Sequence, residues 1–207
     1  MNNWDSLAKK LGLEEGCEAV LHPHAPEERA ELFHAANGGS TEYEYLTLLN
    51  ALVFATKPKL VIETGTHHGF GTLALASAIA ANGFGKLVTV DIGGCEGARR
   101  ACAEHGLEKW VEFQQSDSIQ FCATWTGEPF DFAFFDSELH LRHRECDLLL
   151  RRDKFSPGAL DVFHDASPLR YGVAASMEMI QYLDRLPGGL MLPLSRGLRI
   201  WQVPQKR

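Results

Sequence analysis

The sequence has no C-x-x-C pair, and its five cysteines, Cys17, Cys95, Cys102, Cys122 and Cys146, are an odd number. That spacing excludes the common zinc motifs and a fully paired disulfide framework, so free thiols in a reducing compartment are expected. Cys102 and Cys146 fall on helical patterns and read as small core residues. No apolar run reaches bilayer-spanning length, and the opening MNNWDSLAKK lacks the apolar stretch of a secretory signal, so a cytoplasmic location without a membrane partner is expected. Basic residues are in deficit, with 20 Lys and Arg against 27 Asp and Glu and a formal net charge of −7. Phosphate binding draws on clustered Lys and Arg, so nucleic acid is not the expected partner. The pairs Arg99-Arg100 and Arg151-Arg152 lie on predicted helices and read as solvated faces. Internal repeats and low-complexity tracts are absent.

What is present suits a single folded unit. A chain of 207 residues, 45% apolar and 23% charged, can bury a core of its own. Between Lys59 and Asp91 it reads KLVIETGTHHGFGTLALASAIAANGFGKLVTVD, which predicts a buried strand, a glycine bend, a helix and a second buried strand ending in an acid. Leu60, Val61 and Ile62 form the apolar run that a doubly covered parallel strand requires. Leu73, Leu75 and Ile79 with their alanines predict the helix, and Asn82-Gly83 its stop. Such an order builds a nucleotide site in α/β proteins, with the first helical N–H groups aimed over the bend.

The glycine spacing, Gly65, Gly69 and Gly71, is not the G-x-G-x-x-G of dinucleotide binding, and Glu63 stands two residues before the first glycine. A carboxylate there repels a diphosphate and suits a cation. Asp91, twenty residues beyond Gly71, is placed to accept hydrogen bonds from ribose hydroxyls. A nucleoside with a positive centre and no phosphate, S-adenosylmethionine, fits both acids.

The segments ETGTHHGFGT at 63–72, VTVDI at 88–92, QSDS at 115–118, DFAFFDSELH at 131–140 and SPGALDVFHD at 156–165, in that order, resemble the class I S-adenosylmethionine-dependent methyltransferases. The resemblance runs from about Thr41 to Val203. Within that superfamily the chain is most similar to the small-molecule O-methyltransferases of the methyltransferase type 24 branch, related to the catechol and macrolide-sugar enzymes. The resemblance implies a Rossmann-like doubly wound α/β sheet of seven strands in the order 3-2-1-4-5-7-6, closed by an antiparallel C-terminal hairpin. It also implies that Gly65, Thr66 and Gly69 line the methionine end of the cofactor, with Glu63, His67 and Gly71 in the same bend. Asp91 would take the ribose, with Ile92 beside it among the cofactor-binding residues, Ser116 and Asp117 would lie beside the adenine, and Asp136 would sit where donor and acceptor meet.

The remaining punctuation divides the chain into residues 1–40, a helical N-terminal cap around a polar HPHAPEE stretch, and 41–207, the methyltransferase domain. Thr41 with Glu44 predicts a capping box for a helix running toward Pro58. ARRACAEH is a helix, WVEFQQ strand 3, Phe130 to Asp136 strand 4, and LRHRECDLLLRR the next helix. ALDVFH is strand 5, preceded by Pro157-Gly158; a helix through VAASMEMIQYLDRL leads to the hairpin strands GLMLPLS and GLRIWQV.

Methyl transfer from a sulfonium requires chiefly alignment of the acceptor and removal of its proton. Candidates lie at the C-terminal ends of strands 4 and 5: Asp136, His140, His164 and Asp165. In catechol-type relatives a divalent ion lowers the acceptor pKa. By that resemblance Asp136 and Asp165 match two ligand positions for Mg²⁺, while Ala166 stands at the third. The metal-free alternative makes His140 or His164 the general base. Plainer readings stand beside these. His67 and His68 read as loop residues in main-chain contact with a cofactor, and His143 with Arg142 and Arg144 reads as an exposed helix face. Asp136 reads as a turn cap, and His164 as a hydrogen-bonded strand residue. Asp161 falls in the middle of a central strand without an evident reason. Three functions follow in order: O-methylation of a small hydroxylated acceptor, a catalytically silent cofactor-binding module, and an NAD-binding oxidoreductase. The acceptor itself is the expected partner, with monomer and homodimer both open.

Overall fold

A computed structural model of the chain describes residues 4–10, 18–19, 34–35, 40–167, 174–192 and 196–205. Its seven strands are β1 (Leu60–Thr64), β2 (Lys86–Asp91), β3 (Val111–Gln115), β4 (Phe130–Phe135), β5 (Phe155–His164), β6 (Leu190–Leu192) and β7 (Leu198–Gln202). They form one sheet in the order 3-2-1-4-5-7-6. Strands β1 to β5 pair in parallel, and β7 pairs antiparallel with both β5 and β6. Both the expected order and the expected closing hairpin are therefore found. A separate two-residue pairing joins Glu18–Ala19 to His34–Ala35.

Helices α1 (Trp4–Lys10), α2 (Tyr43–Thr56), α3 (Phe70–Asn82), α4 (Glu96–Glu104), α5 (Ser118–Thr124), α6 (Arg142–Arg151) and α7 (Ala174–Asp184) cover the sheet. Strand side chains alternate between faces. Val61, Leu87, Phe132 and Val162 pack under α1 to α4, while Ile62, Val88, Ala133, Phe135 and Phe163 pack under α5 to α7. Asn50 ties α2 to α3 by donating to the Ala74 carbonyl at 2.7 Å and to Ser77 Oγ at 2.8 Å. From the segment read as a cap, Trp4, Leu7 and Ala8 enter the first of these cores, and Trp4 Nε1 donates to Thr47 Oγ1 at 3.1 Å. Cys102 and Cys146 are buried, and Cys95, Cys102, Cys122 and Cys146 are free thiols. Cys17, the HPHAPEE stretch and the start of the last predicted helix lie outside the described residues.

Two local expectations are corrected. Glu42, not Thr41, precedes α2, and it makes no side-chain cap; the Thr41 hydroxyl donates instead to Asp136 Oδ2 at 2.7 Å. Strand β5 begins at Phe155, before Pro157-Gly158, because the β4 pairing jumps from Phe130–Phe155 to Phe132–Leu160. Proline is tolerated in that irregular stretch, where it owes β4 no N–H.

Asp161 is fully buried, between Ala133 of β4 and Trp201 of β7. Among the described residues its Oδ2 accepts only a thiol hydrogen bond from Cys146 at 3.5 Å, and Oδ1 has no partner. Burial pushes its pKa well above the ordinary carboxyl range, so the folded chain holds a proton that the unfolded chain releases near pH ~4. Stability from this group is therefore lost as pH rises above about 4. Replacing an unsatisfied buried carboxyl by a β-branched apolar side chain removes that cost. Asp161→Val is expected to stabilise the fold by about 1–3 kcal/mol near neutral pH, read by urea unfolding. A destabilised variant at that pH contradicts this assignment.

Candidate active site

Strand order reverses between β1 and β4, and there the carboxyl ends of the strands open a crevice. A cleft of about 900 Å³ fills it, lined by Gly65, His67, Asp91, Ile92, Asp117, Ser118 and the segment 136–142, among others. Chain geometry explains the opening. Gly65 adopts φ +88°, and a Cβ there would come within 2.4 Å of the Asp136 carbonyl oxygen. Its N–H bonds the Val90 carbonyl at 2.8 Å, so the bend after β1 wedges between the ends of β2 and β4.

Asp91, the last residue of β2, faces this cleft with its carboxylate held by two main-chain donors. His67 N–H reaches Oδ2 at 2.9 Å and Gly93 N–H reaches Oδ1 at 2.8 Å. Each oxygen keeps a further lone pair for a ligand hydroxyl. Ile92 beside it is 75% exposed, an apolar surface of the kind that a planar base covers. Asp117 caps α5, accepting from Gln120 N at 2.8 Å, and lines the cleft; Ser116 is not among the cleft's residues.

Glu63 sits beneath the bend and not in the cleft. It is buried, and its Oε2 accepts the hydroxyls of Thr72 at 2.5 Å and Thr89 at 2.6 Å. Thr89 in turn contacts Thr66 Oγ1 at 2.6 Å. Burial, reinforced by Asp136 and Asp91, raises the Glu63 pKa to about 8 against the pull of the two threonines. A Cβ on Gly71 would lie 2.3 Å from Glu63 Oε1, which is why the first turn of α3 needs glycine there. With Thr66 and Gly69 these residues border only a void of about 20 Å³.

At the other wall the structure gathers ionic groups from five segments. Asp136 Oδ1 accepts from His164 Nδ1 at 2.8 Å and pairs with Arg142 Nη2 at 3.1 Å. His164 Nε2 lies 2.7 Å from Glu42 Oε2, which also pairs with Arg196 at 3.1 Å. Arg142 Nη1 bonds Asp165 Oδ2 at 3.0 Å, and Arg196 Nε lies 3.9 Å from Asp165 Oδ1. Three acids thus face two arginines and a histidine. Burial alone would lower the His164 pKa, but Asp136, Asp165 and Glu42 together raise it to about 10. With each ring nitrogen aimed at a carboxylate, His164 carries its proton and has no lone pair for an acceptor. His140 stands elsewhere, half-exposed on the cleft wall, with Nδ1 3.7 Å from Glu138 Oε2.

Sequence reasoning missed several of these groups. Arg142, read as part of an exposed face, is buried, and Glu42, Glu145 and Arg196 went unnoticed. Glu145 accepts hydroxyls from Ser118, from Ser137 at 2.6 Å and from Thr64 at 2.7 Å, and burial raises its pKa despite them. One signal was available: a cation in the first turn of a helix opposes the helix dipole, so Arg142 needs acids around it.

Asp136, His164 and Asp165 place ligand atoms within 4.8 Å of one another, yet the donor set does not fit Mg²⁺. That ion demands free oxygen ligands in octahedral array. Both Asp136 oxygens already receive donors, Oδ2 from Thr41 and Oδ1 from His164, and the Arg142 guanidinium pairs by charge with Asp136 and bonds Asp165.

No curated protein matches this chain. Solved structures share its fold at low identity. An O-methyltransferase from Bacillus cereus in complex with S-adenosylhomocysteine is 19% identical, with TM-score 0.67, over 81% of this chain and 84% of that one. An S-adenosylhomocysteine-bound methyltransferase from Podospora anserina gives 15% identity and TM-score 0.70 over 100% and 97%. The O-methyltransferase TomG of Streptomyces achromogenes, involved in tomaymycin synthesis and solved with S-adenosylmethionine, gives 19% and 0.68 over 98% and 97%. Residues 62–166, about half of the chain and spanning β1 to the end of β5, match the family model described as a methyltransferase domain. The chain belongs to that methyltransferase family.

Proposed function

We propose that the chain transfers a methyl group from S-adenosylmethionine to an oxygen of a small hydroxylated acceptor. The observation that carries this reading is the acidic cleft over the Gly65 bend, where Asp91, Asp117, Asp136 and Glu138 all line the wall. Those carboxylates favour a ligand with a sulfonium and an ammonium group and oppose a pyrophosphate, which disfavours the NAD reading. S-adenosylmethionine, when bound, supplies an already activated methyl group. The residues around it need only hold the partners in line and take a proton.

Asp91 accepts the ribose hydroxyls, its orientation fixed by His67 and Gly93 N–H groups, and Ile92 covers the base. Asp136 borders both the bend and the acceptor wall. His140 is the general base: it faces the cleft, and Glu138 lies within reach of its Nδ1. With the cofactor bound, the acceptor oxygen would take its methyl group and S-adenosylhomocysteine would leave, while His140 would receive the hydroxyl proton and pass it to solvent. His164 has a positioning role, fixing Asp136 from behind.

Methyl transfer to a panel of catechols, phenols and sugars tests the reading; cofactor binding without transfer to any of them would favour the silent module. Asp91→Ala is expected to weaken S-adenosylhomocysteine by about 1.5–3 kcal/mol, the value of a charge-assisted hydrogen bond, measured by titration calorimetry. An unchanged affinity removes Asp91 from the site.

A further inference from the structure

The spacing of Asp136 and Asp165 is right for a cation, and the structure already supplies one. Arg142 leaves the start of α6 and inserts its guanidinium between the two carboxylates, 3.1 Å from Asp136 Oδ1 and 3.0 Å from Asp165 Oδ2. The group is locked. Nε donates to the Ser137 carbonyl at 2.7 Å and Nη1 to the His164 carbonyl. Nη2 pairs with Asp136 by charge but makes no directed hydrogen bond among the described residues. Arg142 is 4% exposed and lies on the cleft wall, so an N–H of Nη2 remains for a ligand oxygen.

We infer that Arg142 is a built-in replacement for a divalent ion: its guanidinium fills the cation position between Asp136 and Asp165 and meets the acceptor oxygen as negative charge develops there. This rests on the methyl-transfer reading for the acceptor, whereas the exclusion of metal rests on the geometry alone. Three features support it together. The third expected ligand position is Ala166, which offers no donor and is fully buried. Both oxygens of Asp136 are engaged by Thr41, His164 and Arg142. A guanidinium is planar and permanently charged, and it can bridge two carboxylates while keeping an N–H for a third oxygen. The substrates this favours are hydroxyls acidic enough to carry negative charge early, such as phenols and catechols, over unactivated alcohols.

The test separates metal from methyl transfer. Mn²⁺ alone is titrated into the purified chain and its free EPR signal followed; the wild type is expected to leave the signal at its buffer value. Arg142→Ala, which takes the guanidinium out from between the two carboxylates, is expected to attenuate it, and adding Asp165→Asn to that variant is expected to restore it. If Arg142→Ala does not fold, the wild-type titration and Arg142→Lys carry the test. The lysine keeps the charge without the fork, and kcat is expected to fall about 100-fold or more, as for loss of an oxyanion donor, while EDTA leaves the wild-type rate unchanged. Stoichiometric Mn²⁺ binding by the wild type that Asp165→Asn abolishes would overturn the inference, as would full kcat in Arg142→Lys. A chain that methylates nothing but still rejects Mn²⁺ fails the proposed function while upholding the filled cation position.

Discussion

His164→Ala is expected to lower the unfolding free energy by about 3–5 kcal/mol, the usual cost of removing one partner from a buried ionic group. The side chain is 1% exposed and stands between Glu42 at 2.7 Å and Asp136 at 2.8 Å, so its loss leaves a buried and a partly buried carboxylate short of a donor. Glu42 keeps Arg196 and Asp136 keeps Arg142 and Thr41, which argues for a folded but weakened variant. The pH profile carries a second signature. Folded His164 holds its proton up to about pH 10, whereas an unfolded histidine releases it near pH ~6.5. Its stabilising contribution is therefore complete below about 6.5 and disappears as pH rises toward about 10. Wild-type stability should decline across that window more steeply than that of His164→Ala, in urea unfolding at a series of pH values. A variant within about 0.5 kcal/mol of the wild type, the range of surface substitutions, contradicts this role.

Gly65→Ala is expected to cost about 2–5 kcal/mol, combining roughly 1–2 for a left-handed non-glycine residue with roughly 1–3 for overpacking. The added methyl would lie 2.4 Å from the Asp136 carbonyl oxygen and 2.8 Å from Ser137 N. Those are main-chain atoms at the end of β4, so relief requires the strand end itself to move. Asp136 and Ser137 both line the cleft, and cofactor affinity should fall along with stability. Thermal unfolding and calorimetry on the same sample check both. A variant with wild-type melting temperature and affinity would show that the bend is not wedged between β2 and β4.

The sequence made the sheet and the front of the cleft legible because both are written in short segments. The run from Leu60 to Asp91 contains β1, the bend, α3, β2 and the acid that ends it. Apolar period and glycine position are local signals. The back wall is not local. Glu42 meets His164 across 122 residues and Arg196 across 154, and nothing in a lone glutamate before α2 announces such partners. Arg142 illustrates the difficulty: R-H-R reads as a solvated face until β4 and β5 place Asp136 and Asp165 around its first member. Glu63 shows the reverse. Its position before Gly65 was visible, but only the threonines of α3 and β2 turn it into a buried acid beneath the bend. Asp161, anomalous in the sequence, stays anomalous in the fold, with one carboxyl oxygen unpartnered among the described residues.

The central claim is that the acidic cleft over the Gly65 bend holds a sulfonium nucleoside by its sugar. Titration calorimetry of the full chain with S-adenosylmethionine, S-adenosylhomocysteine and NAD tests it most directly. Saturable binding of both sulfur compounds, weakened in Asp91→Ala and with no response to NAD, is the predicted result. Tight NAD binding with no heat from either sulfur compound would contradict it.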